Sequence, residues 1–202
     1  MLTYALVVLG FVFVPGPATL LTVARATTSG TKVGIATGAG ITAGDIIHTF
    51  LAVIGISAII AASATLFSIV KYIGAAYLVY LGLRAILEKE SVDLGQGRVP
   101  ITAAQAFRQA ILAEILNPKT ALFFLAFLPQ FVSPENGYVV LQLTILGVVF
   151  ALLGLLSTVV YSVAAGGLGS FLRRHPKVLK WQGKVVGGIY CALGLRLAFQ
   201  ER

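Results

Sequence analysis

Lys71-Tyr72-Ile73-Gly74-Ala75-Ala76-Tyr77, followed by Leu81-Gly82-Leu83-Arg84, returns late in the chain as Lys184-Val185-Val186-Gly187-Gly188-Ile189-Tyr190 and then Leu193-Gly194-Leu195-Arg196. Lys, Gly and Tyr keep their spacing, while the closing Leu-Gly-Leu-Arg shifts by one residue. Apolar helices resemble one another by chance, so the echo needs support from elsewhere. It finds it in the first apolar run of each half, which is interrupted by proline in both: Pro15-Gly16-Pro17 and Asn117-Pro118-Lys119.

Around these segments, apolar runs of about 20 residues recur, the length that crosses a hydrocarbon core of roughly 30 Å. Six spans are expected, at 2–24, 34–63, 66–87, 107–132, 138–165 and 181–200. The first has no charge before Arg25 and lacks the basic opening of a signal peptide, so it reads as a mature helix. Val33–Val70 carries one charge, Asp45, and is too long for a single crossing; Ala61–Thr65, small and polar, supplies the turn. The polar segment Glu88–Pro100, with Gly95 and Gly97, reads as a flexible linker. The chain thus divides into a three-helix repeat at 1–87, a cytoplasmic linker at 88–106 and a second three-helix repeat at 107–202. Three is odd, so the second copy must be inserted upside down. The expected fold is an all-α membrane protein, six transmembrane helices in a 3+3 inverted repeat with helices 1 and 4 broken. Secondary transporters use this architecture and bind substrate where the repeats meet.

Composition agrees. Of 202 residues, 58% are hydrophobic and 11% charged, against about 25% charged in a soluble domain. That excludes a soluble enzyme, a disordered chain and a disulfide-stapled secreted domain. The 15 Lys and Arg against 7 Asp and Glu leave a charge of +8. No aromatic-and-basic module accompanies that excess, so nucleic acid is not an expected partner. The bilayer is, because the basic residues sort by loop. Arg25 and Lys32 follow span one. Arg84, Lys89, Arg98 and Arg108 surround the 3–4 connection, and Arg173, Arg174, Lys177, Lys180 and Lys184 occupy the 5–6 connection. The positive-inside rule places these connections in the cytoplasm and both termini on the periplasmic or extracellular side. Cys191 is the single cysteine, and only His48 and His175 could join it, so no metal cluster or cofactor is expected.

The candidate site lies at mid-depth. Two prolines around Gly16 should break span one, and Asn117-Pro118-Lys119 should do the same in span four. Carbonyls freed in lipid must be satisfied by protein or by a water-filled cavity. Counting ~1.5 Å per residue, Lys119 lies roughly 16 Å inside from Arg108, and Asp45 roughly 20 Å inside from Lys32. Ionisable groups at that depth are costly, so each is a functional candidate by default, although a permanent Asp45–Lys119 ion pair is the bland alternative. His48, one turn beyond Asp45, reads foremost as hydrogen-bonded scaffold. Tyr77, Thr158 and Tyr161 read mainly as interhelical hydrogen-bonding groups. Gly30, Gly34, Gly38, Gly40 and Gly44 give a close-packing face. Glu114 is placed nearer the cytoplasmic face, within reach of Arg25 or Arg108.

These residues resemble the LysE/RhtB family of bacterial amino-acid exporters. The resemblance rests on Pro15-Gly16-Pro17, the glycine-rich run ending Gly44-Asp45, Lys71–Gly82, and Asn117-Pro118-Lys119-Thr120-Ala121-Leu122-Phe123-Phe124 continuing through Leu128-Pro129-Gln130-Phe131. It is closer to the homoserine/threonine and leucine type than to the lysine and arginine type. The resemblance implies a bacterial inner-membrane exporter of amino acids or close derivatives, driven by the proton gradient; with the small size and glycine-rich faces, it also suggests a homodimer. The chain is expected to be a transporter and not an enzyme. The competing class is a structural or metal- and thiol-handling membrane subunit without amino-acid flux. In the transport reading, Lys119 and helix N-terminal amides suit a substrate carboxylate, and Asp45 with unwound carbonyls suits its ammonium.

Overall fold

A computed structural model describes residues 2–13, 16–62, 64–87 and 100–174, together with Trp181, Lys184, Gly187, Gly188, Cys191, Ala192, Gly194, Leu195, Ala198 and Phe199. Pro15, most of the linker, and much of the sixth span with its preceding loop lie outside the described residues. Among those described, the chain is helical throughout, without strands.

Proline and glycine punctuate the helices. α1 (Leu2–Val12) and α2 (Pro17–Ser29) meet at a 49° bend. α2 ends at Gly30, whose φ of 94° suits a residue without a Cβ. α3 is described over Thr31–Ala62 and α4 over Ala64–Leu87; Ser63, within the turn expected at 61–65, lies outside the described residues. α5 (Ala103–Ile115) starts on a capping box between Thr102 and Gln105. It therefore begins inside the segment read as linker. α6 (Pro118–Leu122) follows at a 47° bend and continues as a π turn, Phe123–Phe127, and a 3-10 turn, Leu128–Phe131. After a short 3-10 turn at Pro134–Asn136, α7 runs Val139–Arg174.

Both spans with internal prolines are broken, but the prolines sit differently from expectation. Pro17 and Pro118 open the second helix of each pair instead of lying in unwound chain. The first helical position needs no backbone N–H, and the ring already holds the helical φ. By length and composition, Thr31–Ser57 and Val139–Ala165 can each cross a membrane, and each bent pair can supply one further span. The described residues thus show two to four spans.

Two kinds of packing hold the bundle. At one end, Tyr4, Val8 and Phe11 of α1 meet Ala52 and Ile56, the Phe123–Val132 segment, and Leu143, Leu146 and Phe150 of α7. The ring centroids of Phe123 lie 4.4 Å from Phe11 and 4.9 Å from Phe150. At the other end α3 uses glycine. A Cβ on Gly34 would stand 2.9 Å from Ser162 Oγ, and one on Gly40 2.8 Å from Ala110 Cβ, with the Phe107 carbonyl closer still. In lipid, where apolar burial gives little drive, close backbone approach and dispersion hold helices together. The glycine stripe is a packing device here.

Candidate functional site

The two breaks are tied down from the long helices. In span one, helix termination frees the carbonyls of Val12 and Phe13. Ser157 Oγ of α7 donates to Val12 O at 2.8 Å, and the Tyr161 hydroxyl donates to Phe13 O at 2.7 Å. In span four, His48 of α3 donates from Nε2 to the Glu114 carbonyl at 2.9 Å, with its ring stacked on Phe124. A carbonyl can only accept, so the Nε2 proton is required by its partner. Tyr161 and His48 thus brace the breaks. Of the freed carbonyls expected to meet a ligand, those of Val12, Phe13 and Glu114 already have protein donors.

Between the breaks lies a cavity of about 50 Å³, lined by Gly16, Pro17, Ala18 and Thr19 of span one and by Asn117, Lys119 and Thr120 of span four. Asp45 and Ile41 of α3, Glu114 of α5, and Phe150, Gly154, Ser157 and Thr158 of α7 complete most of its wall. Of the residues expected from sequence, the structure gathers Gly16, Pro17, Asp45, Asn117, Lys119 and Thr158 at this one place. Pro118 is exposed at the start of α6. Tyr77 is elsewhere, on α4 with its ring 5.8 Å from Tyr80. Thr158 bonds within its own helix, to Leu155 O.

Lys119 and Asp45 differ in their settings. The Lys119 Nζ stands 4.2 Å from the Phe11 ring centroid, a cation–π distance, and 3.0 Å from the point where a Gly16 Cβ would lie. The missing side chain at 16 leaves room for the ammonium. Asn117 Oδ1 accepts from Lys119 N at 3.1 Å and so caps α6. Asp45 is 2% exposed, and its Oδ2 is 3.3 Å from where a Gly154 Cβ would lie. No described residue donates a hydrogen bond to its carboxylate. Buried polar atoms in proteins nearly always have partners, so an unmatched carboxylate on a cavity wall is a place for a ligand's donor. Thr19, in the first turn of α2, is buried on the same cavity wall. Gly16 offers no side-chain cap, so the first amides of α2 also face this region with the positive end of the helix dipole.

Sequence reasoning missed Glu114, which is not near a loop arginine but 3% exposed on the cavity wall. Its carboxylate accepts from Thr120 Oγ1 over a short bond and from Asn117 Nδ2 at 3.3 Å. Arg25 instead donates to Gln109 at 2.8 Å. The signal available was spacing: Glu114 lies three residues before Asn117, across the proline break.

A family model described as LysE type translocator matches residues 9–201. An uncharacterized membrane protein of Vibrio cholerae is 29% identical over 197 residues, covering 98% of this chain and 95% of its own. Another from Pseudomonas aeruginosa is 30% identical over 203 residues, covering 97% and 93%. The uncharacterized membrane protein YrhP of Bacillus subtilis is 35% identical over 165 residues, 77% and 78%. No solved structure matches the chain.

Proposed function

The chain belongs to the LysE type translocator family, and from that membership and the cavity we propose that it exports amino acids or close derivatives by proton antiport. It is a membrane transporter of that family. One observation carries the finer reading: Asp45, a buried carboxylate without a donor among the described residues, shares a cavity with the Lys119 ammonium and the start of α2, which has no side-chain cap. An amino acid presents the complementary charges in one molecule. Its carboxylate meets Lys119 and the amides of Ala18 and Thr19; its ammonium meets Asp45. The apolar walls, Phe11, Phe150 and Ile41, exclude water and strengthen both contacts.

We read the whole as a six-span 3+3 inverted repeat in the bacterial inner membrane, with both termini outside the cytoplasm. Two contacts support the pseudo-two-fold. A Cβ on Gly82 would lie 2.6 Å from Gly187 O, and a Cβ on Gly194 2.7 Å from Ala75 O. Gly82 echoes Gly194, and Gly187 echoes Gly74, the neighbour of Ala75, so the contacts exchange to within one residue when the halves are swapped. The braces show the same relation: α7 ties the break of span one and α3 that of span four. Rocking of one half against the other would then expose the cavity to each side in turn.

Everted vesicles acidified inside should accumulate labelled amino acid in a protein-dependent manner. Failure across a panel of neutral, basic and hydroxylated amino acids would remove the reading.

A further inference from the structure

Asp45 and Glu114 are both buried and line one cavity with Lys119, and Asp45 feels the charge of each of the other two. The acids are nonetheless held differently. Glu114 packs its carbon chain against Gly44, whose Cβ would stand 2.6 Å from Glu114 Cβ, and its carboxylate accepts from Thr120 and Asn117. Fixed donors of this kind stabilise a standing anion. Asp45 has no donor among the described residues and looks onto the cavity.

We propose that Glu114 is the standing counter-charge of Lys119, and that this frees Asp45 to exchange one proton for the ammonium of the exported amino acid. The assignment rests on the transport reading above. With Asp45 and Glu114 ionised and Lys119 cationic, the empty site carries one net negative charge. A proton on Asp45 neutralises it, whereas a zwitterionic substrate leaves the negative charge in place. The exchange balances without a covalent change to the substrate. As the ammonium arrives from the cytoplasm, the Asp45 O–H bond breaks and its proton goes to cytoplasmic water. When the ammonium departs on the far side, a proton from that water bonds to the Asp45 oxygen.

The other groups around the pair are committed. His48 of α3 donates to Glu114 O, and Arg25 of α2 donates to Gln109. Tyr4 of α1 donates to Leu146 O, and Tyr161 of α7 to Phe13 O. Glu114 is therefore the group placed to relieve Asp45 of balancing the lysine.

The test is efflux of labelled amino acid from proteoliposomes over a series of pH values at fixed membrane potential, for wild type, Glu114→Gln, Glu114→Asp and Thr120→Val. Without the charge at 114, Lys119 recruits Asp45. Glu114→Gln should lose about ten-fold or more of its proton-driven efflux and flatten its pH profile. Glu114→Asp keeps the charge and should keep the profile at a lower rate. Thr120→Val removes one donor to Glu114 and should shift the profile in the same sense as Glu114→Gln, by less. A wild-type profile in Glu114→Gln, at whatever rate, overturns the assignment and leaves Glu114 a packing residue. If Glu114→Gln does not fold, an unchanged profile in Thr120→Val overturns it equally. Absence of any flux in the wild type overturns the transport reading itself, a distinct result.

Discussion

Asp45→Asn separates a ligand site from an internal brace because the two roles move stability in opposite directions. The substitution keeps the shape of a side chain that is 2% exposed and removes its charge. If Asp45 receives the substrate ammonium, the loss is one charge-assisted hydrogen bond, about 1.5–3 kcal/mol. That corresponds to roughly ten- to a hundred-fold in affinity. The empty protein should lose nothing, because the carboxylate has no donor among the described residues to abandon, and removing a buried charge without a partner relieves a desolvation cost. If Asp45 instead braced Lys119, its removal would strand a cation in the membrane and cost about 3–5 kcal/mol of stability. Thermal unfolding in mild detergent and substrate-dependent efflux, measured on the same preparation, give both quantities. The expected outcome is a melting temperature equal to or above wild type, with gradient-driven efflux collapsed and its pH dependence gone. A lowered melting temperature with normal efflux per folded molecule would refute the reasoning.

Three further outcomes are expected. Tyr161→Phe leaves the Phe13 carbonyl without its hydroxyl donor and should destabilise the protein by about 1 kcal/mol, read as a lower unfolding temperature with substrate affinity retained. Gly40→Ala drives a methyl against the Phe107 carbonyl and Ala110, forcing α3 from α5; overpacking of this kind should cost about 1–3 kcal/mol, read by the same melt. A homodimer should show twice the mass of one chain in mild detergent, and a purely monomeric mass would end that proposal.

The helix breaks were legible because proline acts locally: Pro17 and Pro118 cannot continue a helix whatever surrounds them. Their place as first helical residues follows from the same chemistry, although a depth count does not show it. The scaffold reading of His48 agrees with its bond to Glu114 O. Glu114 was misplaced because the partners of its carboxylate, Asn117 and Thr120, lie beyond the end of α5. The bend after Ile115 turns Thr120 back toward it, and the absent side chain at Gly44 leaves room for its carbon chain. Ser157 and Tyr161 reach partners 145 and 148 residues away. No local pattern encodes such pairs; they depend on how α7 lies against span one. Thr19 was passed over because a threonine in an apolar run usually bonds its own helix, as Thr22 does to Ala18 O.

The unequal ends of the bundle have a mechanical consequence. Where Gly34, Gly38 and Gly40 let α3 approach α2, α7 and α5, the touching parts are main chain and short side chains with at most one torsion to yield. Around Phe11, Phe123, Phe127 and Phe150 the contacts are rings on rotatable bonds, which can swing aside for the cost of a rotamer. Compliance is therefore concentrated at one end of the helix axes and stiffness at the other. A rocking motion under such a load turns about the glycine end as a fulcrum and opens, jaw-like, through the aromatic end.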